Sequence, residues 1–152
     1  MADQPGTTLC ETLADFTNFA LAGLIPPPVR PLIFGATLTA LSKEGGGLRP
    51  IAVGLTLRRL ICKAAALLCT PICAPYLSPF QVGVGTKGGA EALVHATRHF
   101  LKAKSPEQAF VKLDFTNAFN TLRRDAMLEA VATVCPGLLP LAISAYASPS
   151  TI

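Results

Sequence analysis

The stretch FVKLDFTNAFNTL, residues 110–122, holds a single carboxylate, Asp114, at the end of an apolar run. A short polar turn follows, with Phe119 five positions on. An acid at the end of a core-like run is costly to bury unless a cation or hydrogen-bond donors satisfy it. Two uses fit the residue type. Asp114 can cap the turn that contains Thr116 and Asn117, or its oxygens can hold a hard metal ion. Spacing alone leaves both open.

Two other patterns could carry chemistry. GVGTKG, residues 83–88, matches G-x-G-x-x-G. The phosphate-binding form needs a strand before it, a helix after it and an acid about 20 residues on. Leu77-Ser-Pro-Phe80 makes a poor strand, and no acid lies between Glu91 and Glu107. The segment therefore reads as a flexible or close-packed loop, not a dinucleotide site. His95 and His99 stand four apart on one helical face, the geometry of a zinc pair. Ala96 occupies the place of the glutamate in H-E-x-x-H, and no cysteine lies at finger spacing, so these read as surface histidines. No Ser/His/Asp set is visible, although triads are scattered in sequence and their absence says little.

The 152 residues suit about one domain. Apolar residues make up 51% and charged residues 14%, below the roughly 25% charged of typical globular chains. Such a chain is short of polar material to cover its own surface. The net charge of +4 is segregated along it. Residues 1–29 hold three acids and no bases, residues 30–104 ten bases and two acids, and the remainder three bases and four acids. A basic middle suits a polyanion, or simply a solvated face.

Five cysteines without a secretory signal in MADQPGTT point to an intracellular, reducing setting, nuclear or cytoplasmic. Cys62, Cys69 and Cys73 share one helical face and read as buried thiols. Residues 64–86 and 130–152 lack charge over 23 positions each, long enough for a bilayer. Their prolines argue instead for a buried interface and no membrane.

The elements that must position Asp114 follow from periodicity. Thr8-Leu-Cys-Glu11 has the capping-box pattern and opens an N-terminal helical segment, residues 1–29, ended by the prolines at 26–28. PLIFGATLTALSKEGGGLRPIAV reads as a hairpin whose tip carries Lys43, with Arg49 early in the return strand. Thr56 opens a helix through Leu68, which brings Arg59 and Lys63 together. Residues 75–89 form a Pro/Gly loop. A helix from Gly89 to Ala103 follows, its core stripe being Leu93, Ala96, Thr97, Phe100 and Leu101. Ala109–Asp114 reads as a short central strand. Helices from Arg123 to Val134 and onward to about Ala147 complete an α+β order.

Taken in order, four blocks resemble one family: FGATLTALSKEGGGLRPIAVGLTLRRLICK, QVGVGTKGGAEALVHATRHFL, FVKLDFTNAFNTLRRDAML and AYASPS. They are similar to the fingers and early palm of reverse transcriptases (RNA-directed DNA polymerases) from non-LTR, LINE-type retrotransposons. The resemblance covers residues from about 31 onward, and residues 30–152 would be fingers and partial palm of an incomplete right-hand polymerase fold. It implies that Asp114 is the first catalytic aspartate and a Mg²⁺ ligand, with the Phe115 carbonyl a second ligand. The amides of Thr116, Asn117 and Ala118 would face the incoming dNTP, and Phe119 would be the aromatic that selects against a ribose 2′-hydroxyl. Arg49 would hold triphosphate with Lys43 assisting. Arg58, Arg59 and Lys63 would follow the backbone of an RNA template and DNA primer.

The sequence departs from this family in one decisive respect. The Ala-Asp-Asp block is absent, and no two acids are adjacent anywhere. A site with one of three carboxylates cannot assemble the two-metal centre. The expectation is a fragment without polymerase activity alone, prone to aggregate through palm-facing surface left bare. The alternative is a non-catalytic nucleic-acid-binding module.

Overall fold

The computed structural model describes residues 5–115, 118 and 121–149. Six helices and one two-stranded sheet are present among them: α1 (Pro5–Leu21), α2 (Arg30–Phe34), β1 (Ala36–Ser42), β2 (Leu48–Gly54), α3 (Thr56–Leu77), α4 (Gly89–Ala103), α5 (Arg124–Val134) and α6 (Leu139–Tyr146). Single 3₁₀ turns at Pro27–Val29 and Pro136–Leu138 lead into α2 and α6. The mixture of helix and strand is the expected α+β class.

α1 ends well before the proline triplet. Gly23 N–H donates to the Ala20 carbonyl over 3.0 Å and Leu24 N–H to the Phe19 carbonyl over 3.2 Å. That pair of bonds is a Schellman cap, which requires a left-handed residue after the helix. Gly23 supplies it at φ 74°. The helix also starts earlier than the Thr8 pattern implies. Thr8 lies inside it, and its carbonyl accepts the Thr12 hydroxyl over 2.8 Å, so the capping box is not formed.

The turn after α1 carries the chain into a small core. Ala20 and Ile25 meet Ile33 and Phe34 of α2, Ile61 and Ala65 of α3, and Leu141 of α6, with Phe16, Leu21, Leu138 and Ala145 packed around them. Ile61 is fully buried and anchors α3. Thr17, the other buried polar side chain besides Ser144 among the described residues, bonds its hydroxyl to the Leu13 carbonyl over 2.7 Å. The cost of burying it is thereby met.

α3 runs nine residues beyond the expected end at Leu68, through Pro71 and Pro75. A proline leaves the carbonyl four residues back without a donor. Here those carbonyls belong to Leu67 and Pro71, and Leu67, Pro71 and Pro75 share one exposed face. Water can take the freed groups, so the helix continues.

Two expectations fail for want of partners. Residues 109–114 form no strand and are exposed. A strand needs a neighbour for its backbone groups, and β1 pairs only with β2. Leu113 and Phe115 are each 74% exposed. The α4 stripe is only partly covered: Leu93, Ala96 and Leu101 are exposed, Thr97 and Phe100 are half-buried, and Gly89 is the buried residue of that helix. Phe100 meets Phe110 with ring centres 6.3 Å apart, tying the end of α4 to the following segment.

Candidate nucleotide and nucleic-acid surface

The hairpin forms with the expected tip. β1 and β2 pair antiparallel from Ala36↔Gly54 to Ser42↔Leu48, which sets Leu41 opposite Arg49. Lys43 closes the loop, its N–H donating to the Gly47 carbonyl and its carbonyl accepting from Gly46 N–H, both over 3.1 Å. Strand alternation places Arg49 on one face with Thr37, Thr39, Ile51 and Val53. Pro50 is tolerated because each strand of a two-stranded ribbon has a free edge. Lys43 and Arg49 are both exposed. The ribbon presents two cations to solvent without spending either on an internal ion pair among the described residues.

The next cations divide between two tasks. Arg58, at the start of α3, turns inward: its Nη1 donates to the Phe34 carbonyl over 2.7 Å. Its side chain also passes close to Gly54, where an added Cβ would come within 2.9 Å of the Arg58 Cδ. Arg58 thus joins the end of β2, the end of α2 and α3, a structural role the sequence pattern did not reveal. Arg59 and Lys63 are exposed and one helical turn apart. They can meet phosphates where Arg58 is already engaged.

Asp114 and Phe115 lie in exposed coil, and Ala118 in a turn whose carbonyl accepts the Thr121 hydroxyl over 3.4 Å. Thr116, Asn117 and Phe119 fall outside the described residues. Among the described residues no group of three or more His, Cys, Asp or Glu side chains could hold a metal ion. One carboxylate and one carbonyl are a poor match for Mg²⁺, which gives up its water reluctantly. The Asp114 carboxylate and the Phe115 carbonyl by themselves do not fit a resident two-metal centre. His95 and His99 stay exposed on α4.

The glycine motif is a packing device. Helix α3 and a turn, not a strand, precede it. Gly89, just after the motif, lies against the Val82 backbone so closely that a Cβ there would collide with the Val82 carbonyl.

The sequence also hid a thiol cluster. Cys62 is exposed, while Cys69 and Cys73 are half-buried beside Cys135, which comes from the end of α5 and is buried. Burial, with the Cys135 thiol adjacent, pushes the Cys69 thiol up to about 11. Cys73 moves in the same direction for the same reasons. High thiol pKa values make poor nucleophiles. The cluster is packing, and 66 positions between Cys69 and Cys135 gave no sign of it.

An apolar cavity of about 240 Å³ opens between α3 and α6, lined by Phe34, Ala65, Leu141 and Ala142, with Arg58 and Tyr146 also contributing. α3 is by length and composition the one described helix able to cross a bilayer, but Pro71 and Pro75 lie inside it, and Arg58, Arg59 and Lys63 near its start. No family model, curated protein or solved structure matches this chain.

Proposed function

We propose that this chain supplies the fingers and first palm portion of a LINE-type reverse transcriptase, with nucleotide and nucleic-acid contacts but no polymerase activity by itself. The observation that carries the reading is the β1–β2 ribbon, whose glycine-rich tip holds Lys43 and whose return strand holds Arg49, both exposed. A guanidinium on a stiff ribbon is suited to phosphate oxygens, because its planar fork gives two parallel hydrogen bonds. Arg59 and Lys63 extend the basic surface along α3, where contacts to a phosphate backbone give affinity without sequence preference. Asp114, exposed after its apolar run, is free to serve as one ligand of an ion whose other carboxylates come from elsewhere. The partners of this reading are an RNA template, a DNA primer and a dNTP, with Mg²⁺ entering only when the missing acids are supplied, in an intracellular setting.

Primer extension on an RNA template with Mg²⁺ tests the inactive half of the proposal. The purified chain is expected to incorporate nothing, and clear incorporation would refute it.

A second reading, a non-catalytic nucleic-acid-binding module, is favoured by one observation: the exposed Arg59–Lys63 pair stands on a well-formed helix, whereas Asp114 sits in coil. Single-stranded RNA titrations separate the readings when a dNTP is included. The module binds RNA and ignores the triphosphate; the polymerase portion binds both.

A further inference from the structure

We propose that the cavity between α3 and α6 binds a small aliphatic monocarboxylate, with the carboxylate on Arg58 and the hydrocarbon chain directed toward Cys69. This goes beyond the polymerase reading and does not rest on it. The cavity, about 240 Å³, is polar at one end only. Arg58 and Tyr146 line it together with Phe34, and the Arg58 Nη1 donates to the Phe34 carbonyl over 2.7 Å, which sets the start of α3 beside the end of α2. The end of α6 lies here too, because Ala145 shares a neighbouring hollow with Phe34. The opposite wall is Ala65, Cys69 and Leu138. Leu138, just before α6, lines a further hollow with Leu68 and Ile72, well along α3. Charge and hydrogen-bonding groups are therefore gathered at the Arg58 end, and hydrocarbon and thiol at the other.

Charge and size fix the occupant. No carboxylate lines the cavity. None occurs between Glu44 and Glu91 or after Glu129, so neither α3 nor α6 can supply an anion. Arg58 is half-buried and makes no ion pair among the described residues. Partial burial of a cation without a counter-charge is unfavourable. A guanidinium has several N–H donors, of which the Phe34 carbonyl takes one. The others suit a carboxylate, which accepts two parallel bonds. The Tyr146 phenol has no hydrogen-bond partner among the described residues and is a further donor at the same end. Size follows from comparison: an apolar protein cavity of about 150 Å³ holds benzene, so this one takes a body of about eight carbons. A nucleotide is too large and too polar for these walls.

Isothermal titration of the full chain with octanoate, kept below the concentration at which it forms micelles, tests this. One octanoate per chain should bind with half-saturation below about 1 mM. Octan-1-ol, which has the same chain without the charge, should bind about tenfold more weakly. Ala66→Phe, at an exposed position on the cavity wall, should abolish binding while circular dichroism shows unchanged helix content. Tyr146→Phe should weaken it severalfold. Pulse alkylation locates the site, because Cys62 is exposed and lines this cavity whereas Cys10 is exposed on α1, outside it. Saturating octanoate should slow Cys62 modification at least fivefold and leave Cys10 unchanged. The proposal is overturned by the absence of saturable binding, by equal affinity for octanoate and octan-1-ol, by binding that survives Ala66→Phe, or by protection of Cys10 equal to that of Cys62.

Discussion

The Ser144 hydroxyl donates to the Gly23 carbonyl over 3.2 Å, joining the first helix-ending turn to α6 across 121 positions of sequence. The contact is close on both sides: a Cβ on Gly23 would lie 2.9 Å from the Cβ and the carbonyl oxygen of Pro140. Gly23 is therefore constrained twice, by its positive φ and by the approach of α6. Replacing it with alanine should destabilise the fold by about 2 kcal/mol or more, from left-handed strain plus displacement of α6. Ser144→Ala should cost about 1 kcal/mol. Urea unfolding followed by circular dichroism measures both, and the double variant should cost less than the two summed, since both act on one contact.

Arg58 and its neighbours should separate in experiment. Arg58→Ala removes the donor to the half-buried Phe34 carbonyl, and is expected to lower stability by about 1.5 kcal/mol. Arg59→Ala/Lys63→Ala should leave the unfolding midpoint nearly unchanged while weakening single-stranded RNA. Each lost phosphate contact should reduce the slope of log affinity against log salt by about 0.7. Anisotropy titrations at several salt concentrations read that slope.

The thiols give a pH-dependent prediction. Cys69 is held at about 11 by burial beside Cys135, from an ordinary value of 9.0. The folded protein therefore favours the neutral thiol, and reactivity must rise with pH rather than fall. At pH 8 the Cys69 thiolate fraction should be about 100-fold below that of an ordinary thiol. Pulse alkylation with mass-spectrometric readout should show Cys10 modified well before Cys69 in the native chain, and Cys69 catching up in denaturant. Equal native rates across pH 7 to 9 would contradict the packing described.

Local signals carried the hairpin and most of the helices, although Pro31–Phe34, read as the start of the first β run, belongs to α2, and β1 begins only at Ala36. The run GAEALVHATRHFLKA has one apolar stripe and a glycine entry, and it is a helix over the expected residues. SKEGGG between two β-leaning runs likewise gives a tip and a return strand with Lys43 and Arg49 where the pattern puts them. What failed depended on tertiary partners. Ala109–Asp114 looks central because it is apolar, yet strand formation needs a ladder, and none is offered there. Leu93 and Leu101 look like core because of their spacing, yet spacing cannot say whether anything lies opposite. Arg58 was indistinguishable from Arg59 in sequence; only the approach of the Phe34 carbonyl sets it apart. The amides of Thr116 and Asn117 expected to face the incoming dNTP, and the Phe119 ring expected to select against a 2′-hydroxyl, lie outside the described residues, so the candidate site rests on the ribbon, α3 and Asp114.

The central claim is that the ribbon cations hold a triphosphate next to bound nucleic acid. The most direct measurement is equilibrium binding of a fluorescent dNTP to the chain preloaded with an RNA-template/DNA-primer duplex, comparing wild type with Arg49→Ala and Lys43→Ala. The account predicts saturable dNTP binding that Arg49→Ala weakens at least tenfold and Lys43→Ala weakens less, with duplex affinity unchanged in both. Duplex binding without any triphosphate binding, or triphosphate binding indifferent to Arg49, would contradict it.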